Sequence, residues 1–308
     1  MPLTLATFNV ENLFEPRSDA GRVRVRAKLD FLAATLRACD ADVVGLQEIG
    51  SPKLLEDVLE RLGEDGRYGK PVVGTADARG IRCALLSRLP VVEAVVHTAE
   101  SLPFPVFRAG DPAPFGARIP LRRGVVHARM QPADGAPLDV FVAHFKSSMR
   151  VPLRDVEGNE VPGSDAQPRG RAEGALRSLV WRSAEALFVR GLVDDVMSAH
   201  GPDAAVAVVG DLNDVPGSAA VRTVRGEGPG ELFDCAANVD PDARFSCLHD
   251  GRKAQIDHVL ASASLHARLE TARFLNAGLT SHPPPVKGEP VLPTADSDHA
   301  PLVVGFGA

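Results

Sequence analysis

Nowhere in the 308 residues is there an apolar run of about 18 residues, so no transmembrane helix is expected. One tryptophan and one tyrosine, against 13 phenylalanines, leave little aromatic surface on which bases could stack. The chain also has no C-x-x-C pair. Cys39, Cys83, Cys235 and Cys247 are irregularly spaced, which argues against zinc or thioredoxin-like chemistry and leaves buried or half-buried thiols of a reducing compartment. Excess positive charge is missing too. At a net charge of -6 no strong global field draws the chain to nucleic acid or anionic lipid, although a locally basic cleft and bound cations leave room for a nuclease. The start, Met1-Pro2-Leu3-Thr4-Leu5-Ala6-Thr7, carries no basic leader and runs straight into a strand pattern, so no signal peptide or membrane anchor is expected. The cytoplasm is the expected location.

What is present is ordinary for a globular protein: 44% hydrophobic and 24% charged residues, enough apolar material to exclude disorder and fibre. Leu3 to Val10 reads as a strand, and Val25, Leu29, Leu32 and Leu36 set a helix over Val23 to Cys39. Asp42 to Gln47 is a short buried strand and Lys53 to Leu62 a second helix. Strand runs follow at Ile81 to Leu86, Val91 to His97, Gly124 to Met130 and Leu138 to His144, between Pro- and Gly-rich turns. Ser147 to Gly174 lacks apolar periodicity and reads as a long surface loop. A helix from Ala175 to Met197 and strands at Ala204 to Val209, Ile256 to Ala261 and Pro301 to Phe306 complete the pattern, with a Pro-rich hinge at Pro283 to Pro285. Strand and helix do not alternate strictly. Two strand-rich blocks, each with helices, predict two sheets packed face to face with helices outside, in one domain spanning 1–308.

Several hydrophobic runs end in carboxylate, amide or imidazole side chains. They are Thr7-Phe8-Asn9-Val10-Glu11-Asn12, Gly45-Leu46-Gln47-Glu48, Ala143-His144-Phe145-Lys146-Ser147, Gly210-Asp211-Leu212-Asn213-Asp214, and Gln255-Ile256-Asp257-His258 with Ser297-Asp298-His299. Such a set suits metal-dependent phosphoryl transfer. That chemistry needs a divalent cation on a phosphate oxygen, an activated water in line with the leaving oxygen, and donors for the developing charge. Asp211 and Asn213 lie two apart after a buried strand, so in extended backbone they share one face. The aspartate there can accept a proton from water and the amide can donate to a phosphoryl oxygen. An Asx-turn is the competing reading, strongest for Asp214.

In these motifs the chain resembles the endonuclease/exonuclease/phosphatase superfamily, the deoxyribonuclease I-like proteins, and most of all a bacterial nuclease-like branch. T-F-N-V-E-N, L-Q-E, H-F-K-S, G-D-L-N-D-V-P, I-D-H-V and S-D-H-A-P-L occur in family order over residues 4 to 304. The resemblance implies a four-layer α/β sandwich of two mixed sheets with helices outside and the site at one end. It implies Glu48 as the first metal ligand for Mg²⁺ or Mn²⁺, with Asn9 beside it, holding the metal or a metal-bound water, and Asp298 as a ligand or orienting group. It further implies His299 near the scissile phosphate, Asp257 fixing an imidazole tautomer and His144 as the second imidazole. Whether Asp211 or His299 is the general base stays open. Lys146 is the first choice for a phosphate contact, ahead of Arg79, Arg82 and Arg123; Asn12 serves the site or caps the next segment, and His258 has a stacking or structural part.

The expected function is a divalent-metal-dependent phosphodiester hydrolase, a nuclease, acting by in-line attack of water on phosphorus. Nucleic acid or another phosphodiester is the expected partner, and no obligate protein partner is evident. A phosphomonoesterase for a small phosphorylated substrate is the alternative within enzymes. A non-catalytic nucleic-acid-binding regulator predicts substitutions at Glu48, Asp211, Asn213 or His299, and all four residues are intact.

Overall fold

A computed structural model describes residues 2–63, 66–133, 135–249, 251–282 and 293–308. The hinge expected at Pro283 to Pro285 lies outside these residues. Helix α1 (Asp19–Cys39) opens with the Ser18 hydroxyl accepting from the Gly21 amide and closes on Asp40 in the left-handed conformation. It therefore begins a turn before Val23. Helix α2 (Pro52–Leu62) starts with a Ser51 cap and Pro52 in its first turn.

One six-stranded sheet contains β1 (Leu3–Leu13), β2 (Val43–Ile49), β3 (Val72–Val73), β4 (Arg82–Ser87), β13 (Leu269–Phe274) and β14 (Leu302–Phe306), in the order β13-β14-β1-β2-β4-β3. The other contains β5 (Val91–His97), β6 (Val125–Met130), β7 (Leu138–His144), β8 (Ala205–Asp211), β9 (Leu232–Asp234) and β12 (Asp257–Ser262), in the order β5-β6-β7-β8-β12-β9. Each sheet is mixed: β1 pairs β2 in parallel and β14 antiparallel, while β7 pairs β8 in parallel and β12 runs against β8. A small hairpin, β10 (Cys247–His249) and β11 (Arg252–Ala254), stands apart. These pairings make the expected two-sheet sandwich.

Alternation along the strands divides the core into layers. Val140, Val142, Ala207 and Val209 face Leu5, Val43 and Leu85 between the sheets. Ala6, Phe8, Val10 and Leu46 face outward onto α1 and α2, and Phe141, Ala143, Val206 and Val208 face outward onto α3 (Pro168–His200) and α4 (Ala219–Arg225). β7 and β8 are thus covered on both sides, which is why their sequences read as unbroken hydrophobic runs. Gly210 has φ +146°, and a Cβ there would lie 1.9 Å from the Ala143 carbonyl oxygen. Only glycine lets the end of β8 lie this close to β7.

The surface loop is shorter than expected. It ends at Gln167, because α3 begins with Pro168 in its first turn, where the missing N–H is no loss. Glu173 pairs with Arg169 and Arg177 on the exposed side of that helix, so the first turns carry polar contacts instead of an apolar stripe. Residues 151–161 fold back on themselves through Asp155–Asn159 and Val161–Leu153 amide bonds. All four cysteines are free and buried, and burial pushes the Cys39 and Cys83 thiols up to about 12. Among the described residues no helix is long and apolar enough to cross a membrane.

Candidate active site

Strand register assembles the centre of the site. His144 on β7, Asp211 on β8 and Asp257 on β12 are neighbours across three adjacent strands: His144 pairs with Asp211, and Asp211 with Asp257. The facing sheet contributes Asn9 at the end of the regular part of β1, and its Nδ2 donates to Asp211 Oδ2 at 2.9 Å across the sandwich. The Asn213 amide N–H donates to Asp211 Oδ1 at 2.9 Å, while its side-chain Nδ2 donates to the Phe145 carbonyl. Asp211 is 2% exposed. Burial, then the nearby Asp257 carboxylate, push its carboxyl up to about 7 against the opposing pull of His299, Asn9 and Asn213.

His299 follows the turn Ser297-Asp298, which is pinned by the Ser297 hydroxyl to the Asn9 carbonyl. Its Nδ1 donates to Asp257 Oδ2 at 2.7 Å and its Nε2 lies 4.0 Å from Asp211 Oδ2. Burial alone would hold this imidazole low, but Asp257, Asp211 and Asp298 outweigh it and raise the group well above its ordinary value. His144 has the reverse setting. Its Nε2 is 3.5 Å from Asp211 Oδ2, and the Arg123 guanidinium Nη1 lies 3.3 Å from both ring nitrogens. Burial first, then Arg123 and His299, keep it well below its ordinary value and neutral. The two imidazoles are pushed in opposite directions.

Four of the six non-glycine residues with positive φ among the described residues stand here: Glu11, Asn12, Glu48 and Asn213. Each such conformation costs about 1–3 kcal/mol, less for asparagine, and the surrounding hydrogen bonds must over-determine it. The register of the β1–β2 and β2–β4 pairs shifts at the same places, between Asn9 and Leu13 and between Leu46 and Ile49. Glu48 Oε2 accepts from the Asn12 amide at 2.9 Å. Asn12 Oδ1 in turn accepts from Arg79 at 2.7 Å.

Near Glu48 the expected Asp298 meets Glu11 and His282, two residues to which the sequence assigned no role. Glu11, Asp298 and His282 present ligand atoms all within 4.8 Å of one another, with His282 Nδ1 2.7 Å from Glu11 Oε2. Burial and the charge of Asp298 raise the Glu11 carboxyl. Lys28, 1% exposed on α1, donates to Thr294 Oγ1 and the Asp296 carbonyl, and burial lowers its ammonium to about 8 despite Glu11, Asp296, Asp298 and Glu48. A concentration of carboxylate oxygens with raised Glu11 is a donor set that fits a hard divalent cation. Glu11 and Asp298 would hold it, with Glu48, whose charge bears on the same Lys28 ammonium, nearby. Asn9 Oδ1 already accepts from the Glu11 amide, so Asn9 fixes the backbone between the carboxylates as well as Asp211. Glu11 lies two residues beyond Asn9 on one strand, a spacing that points to it in hindsight; Lys28 and His282 carry no local sequence signal.

The opposite wall is cationic. Arg123 donates to the Phe145 carbonyl at 3.0 Å and lies 3.8 Å from Asp77, and Arg122 sits over Trp181. The Lys146 ammonium donates to the Ser147 and Met149 carbonyls at 2.8 and 2.7 Å and to the Ser147 hydroxyl, so it folds back onto its own loop. Burial, with Arg122 beside it, lowers it to about 8. Arg82 pairs across from Ile49 at the strand end and donates to the Gly80 carbonyl, so Arg79, not Arg82, reaches Asn12. His258 is buried and donates from Nε2 to the Asp214 carbonyl at 2.8 Å, a structural part.

A sandwich of two mixed sheets with this constellation at one end defines the deoxyribonuclease I-like class. The chain belongs to the Endonuclease/Exonuclease/phosphatase family, whose model matches residues 6–299. Among solved structures it is similar to truncated TDP2 from Caenorhabditis elegans, at 15% identity over 100% of this chain and 98% of that one, with a TM-score of 0.59. An endonuclease/exonuclease/phosphatase family protein from Bacteroides thetaiotaomicron is 18% identical over 99% and 95%, with a TM-score of 0.61. An AP endonuclease from Archaeoglobus fulgidus is 15% identical over 99% and 100%, with a TM-score of 0.54. At these identities the likeness is one of fold. No curated protein sequence matches the chain.

Proposed function

We propose that the protein is a divalent-metal-dependent phosphodiesterase of the cytoplasm whose substrate is nucleic acid, with residues 1–308 acting as one catalytic domain. The observation that carries this reading is Asp211, buried and held between Asn9, Asn213, His144 and His299 at the end of both sheets. In the reaction, the oxygen of a water forms a bond to phosphorus and the bond to the leaving oxygen breaks in line with it. Asp211 in its ionised form accepts the proton of that water, because its raised carboxyl makes it a stronger base than an ordinary carboxylate while His299, already protonated, has no free lone pair. His299, oriented by Asp257, faces the non-bridging oxygens with its Nε2–H and charge. Neutral His144 and the Asn213 amide add uncharged donors, and Arg123 supplies a fixed positive charge behind them. Glu11 and Asp298, with Glu48 nearby, would hold a Mg²⁺ or Mn²⁺ ion, which when bound would supply Lewis-acid stabilisation of the phosphate charge.

The AP endonuclease among the structural neighbours, and the location of the arginines on one wall of the site, support nucleic acid as the substrate. Incubation of the protein with labelled single-stranded and duplex DNA and with RNA, in Mg²⁺ or Mn²⁺, tests this. Cleavage that stops with chelator and in Asp211→Asn is the expected result; intact nucleic acid alongside rapid hydrolysis of small diesters would overturn the nuclease assignment. The crowding of Arg79, Arg122 and Arg123 around Asp77 is the one feature that favours a phosphomonoester, whose terminal phosphate carries more charge.

A further inference from the structure

Behind the cationic wall lies a carboxylate that the chemistry above does not use. Glu185, in the middle of α3, is 0% exposed. Its Oε2 accepts from the Lys146 backbone amide at 2.6 Å, and the Arg122 backbone N–H also bears on the carboxylate, whose Oε1 is otherwise buried without a well-formed hydrogen bond. An ionised carboxylate in that setting is expensive unless positive charge surrounds it. Burial raises the Glu185 carboxyl, and Arg123 and then Arg122 draw it back. Three residues earlier on the same helix face, Arg182 donates to the Lys146 carbonyl at 3.2 Å and pairs with Asp214 at 2.8 Å. The turn that follows β7 is therefore held on both sides of one residue: Glu185 takes the amide of Lys146 and Arg182 its carbonyl. Arg123 and Asn213 both donate to the preceding carbonyl, that of Phe145.

We propose that Glu185 is a positioning residue for the anion site: it anchors the 145–147 turn and supplies the buried negative charge that lets Arg122 and Arg123 stand beside His144 with the Lys146 ammonium close to them. This inference rests on the reading of that wall as the phosphate side of the site, but not on turnover. Without Glu185 the cations face one another with Asp77 and Asp214 as the remaining counter-charges, and the turn loses an anchor. Lys146 is the group that responds, since Arg122, Arg123 and Arg182 all press its ammonium toward the neutral form and Glu185 opposes them.

Sulfate, a dianion at every pH of interest, is the probe. Its binding to the full chain is measured calorimetrically at pH 6.5 and 8.5 for the wild type, Glu185→Gln and Glu185→Ala, with the Tm of each. Glutamine keeps an acceptor oxygen for the Lys146 amide while removing the charge and turning the other oxygen into an NH2 donor. Glu185→Gln is expected to bind sulfate within twofold of the wild type at pH 6.5 and at least threefold more weakly at pH 8.5, where its Lys146, no longer held up by Glu185, keeps less of its proton than that of the wild type at about 8. Glu185→Ala is expected to be at least tenfold weaker at both. A glutamine variant with wild-type affinity at both pH values overturns the proposal, as does an equal loss at both pH values that tracks a fallen Tm, or a wild type that does not bind sulfate. Failure to hydrolyse any diester, with sulfate binding as expected, would overturn the catalytic reading and leave Glu185 in its role.

Discussion

The Nδ1 atom of His299 lies 2.7 Å from Oδ2 of Asp257, and Asp257 is wholly shielded from water. Because Asp257 sits beside Asp211 in the β12–β8 register, this one pair fixes a charged imidazole against the carboxylate proposed as base. Asp257→Asn keeps the shape and removes the charge. His299 should then lose its proton at a markedly lower pH, and kcat should fall ~10²-fold or more. Imidazole NMR titration and steady-state rates check both; an unchanged titration would contradict the pairing.

Asp211 makes the fold less stable as pH rises. Its carboxyl, about 7 in the folded chain against an ordinary 3.8, means that the native state binds the extra proton between roughly pH 4 and 7. Stability from this group is therefore full below pH 4 and is lost as pH climbs through 7. Asp211→Asn should equal the wild type at pH 4 and exceed it by ~1 kcal/mol or more at pH 8 in urea unfolding, while losing activity. A less stable variant at pH 8 would show that the ionised carboxylate is net favourable in its setting.

Much of this centre was legible because each key side chain ends a hydrophobic run. β7, β8 and β12 are short and apolar, the first two carrying His144 and Asp211 at their ends and the third Asp257 at its start, so the strand ends were visible in the sequence, while that they meet came from the family resemblance. The two-sheet architecture followed from the same runs. Other parts had no local signal. Strands β10 and β11 are three residues each, and in β13 a register shift between Leu269 and Thr271 breaks the period-two spacing of its core-facing Leu269, Ala272 and Phe274. The start of α3 was hidden because its first turns are stabilised by Glu173 with Arg169 and Arg177 and not by apolar spacing. Lys28 and Glu185 sit at helical positions where a charged residue ordinarily meets solvent; only distant partners, Thr294 and Asp296 for one and Lys146 for the other, bury them.

The acidic wall makes its own prediction. Glu48→Gln and Glu11→Gln each remove one oxygen-donor charge from a set that fits a hard cation. Each should raise the Mn²⁺ concentration for half-maximal binding, followed by electron paramagnetic resonance, by ~10-fold or more. Unaltered Mn²⁺ affinity in both variants would remove this wall as the metal site.

Gly210 tests how the register is held. Alanine there would place a Cβ 1.9 Å from the Ala143 carbonyl oxygen in a backbone region closed to L side chains. Gly210→Ala should lose ~3 kcal/mol or more, or fail to fold, since β7 and β8 must separate. A thermal melt within a degree of the wild type would contradict the close β7–β8 approach.

The central claim is that Asp211, with metal, drives phosphodiester hydrolysis. Its most direct test is the rate of bis(p-nitrophenyl) phosphate hydrolysis beside that of p-nitrophenyl phosphate, in Mg²⁺, in Mn²⁺ and in chelator, for the wild type and Asp211→Asn. Diester cleavage that requires metal and falls ~10²-fold or more in Asp211→Asn is the predicted result. Diester cleavage that persists in chelator or in the variant, or a preference for the monoester, would contradict it.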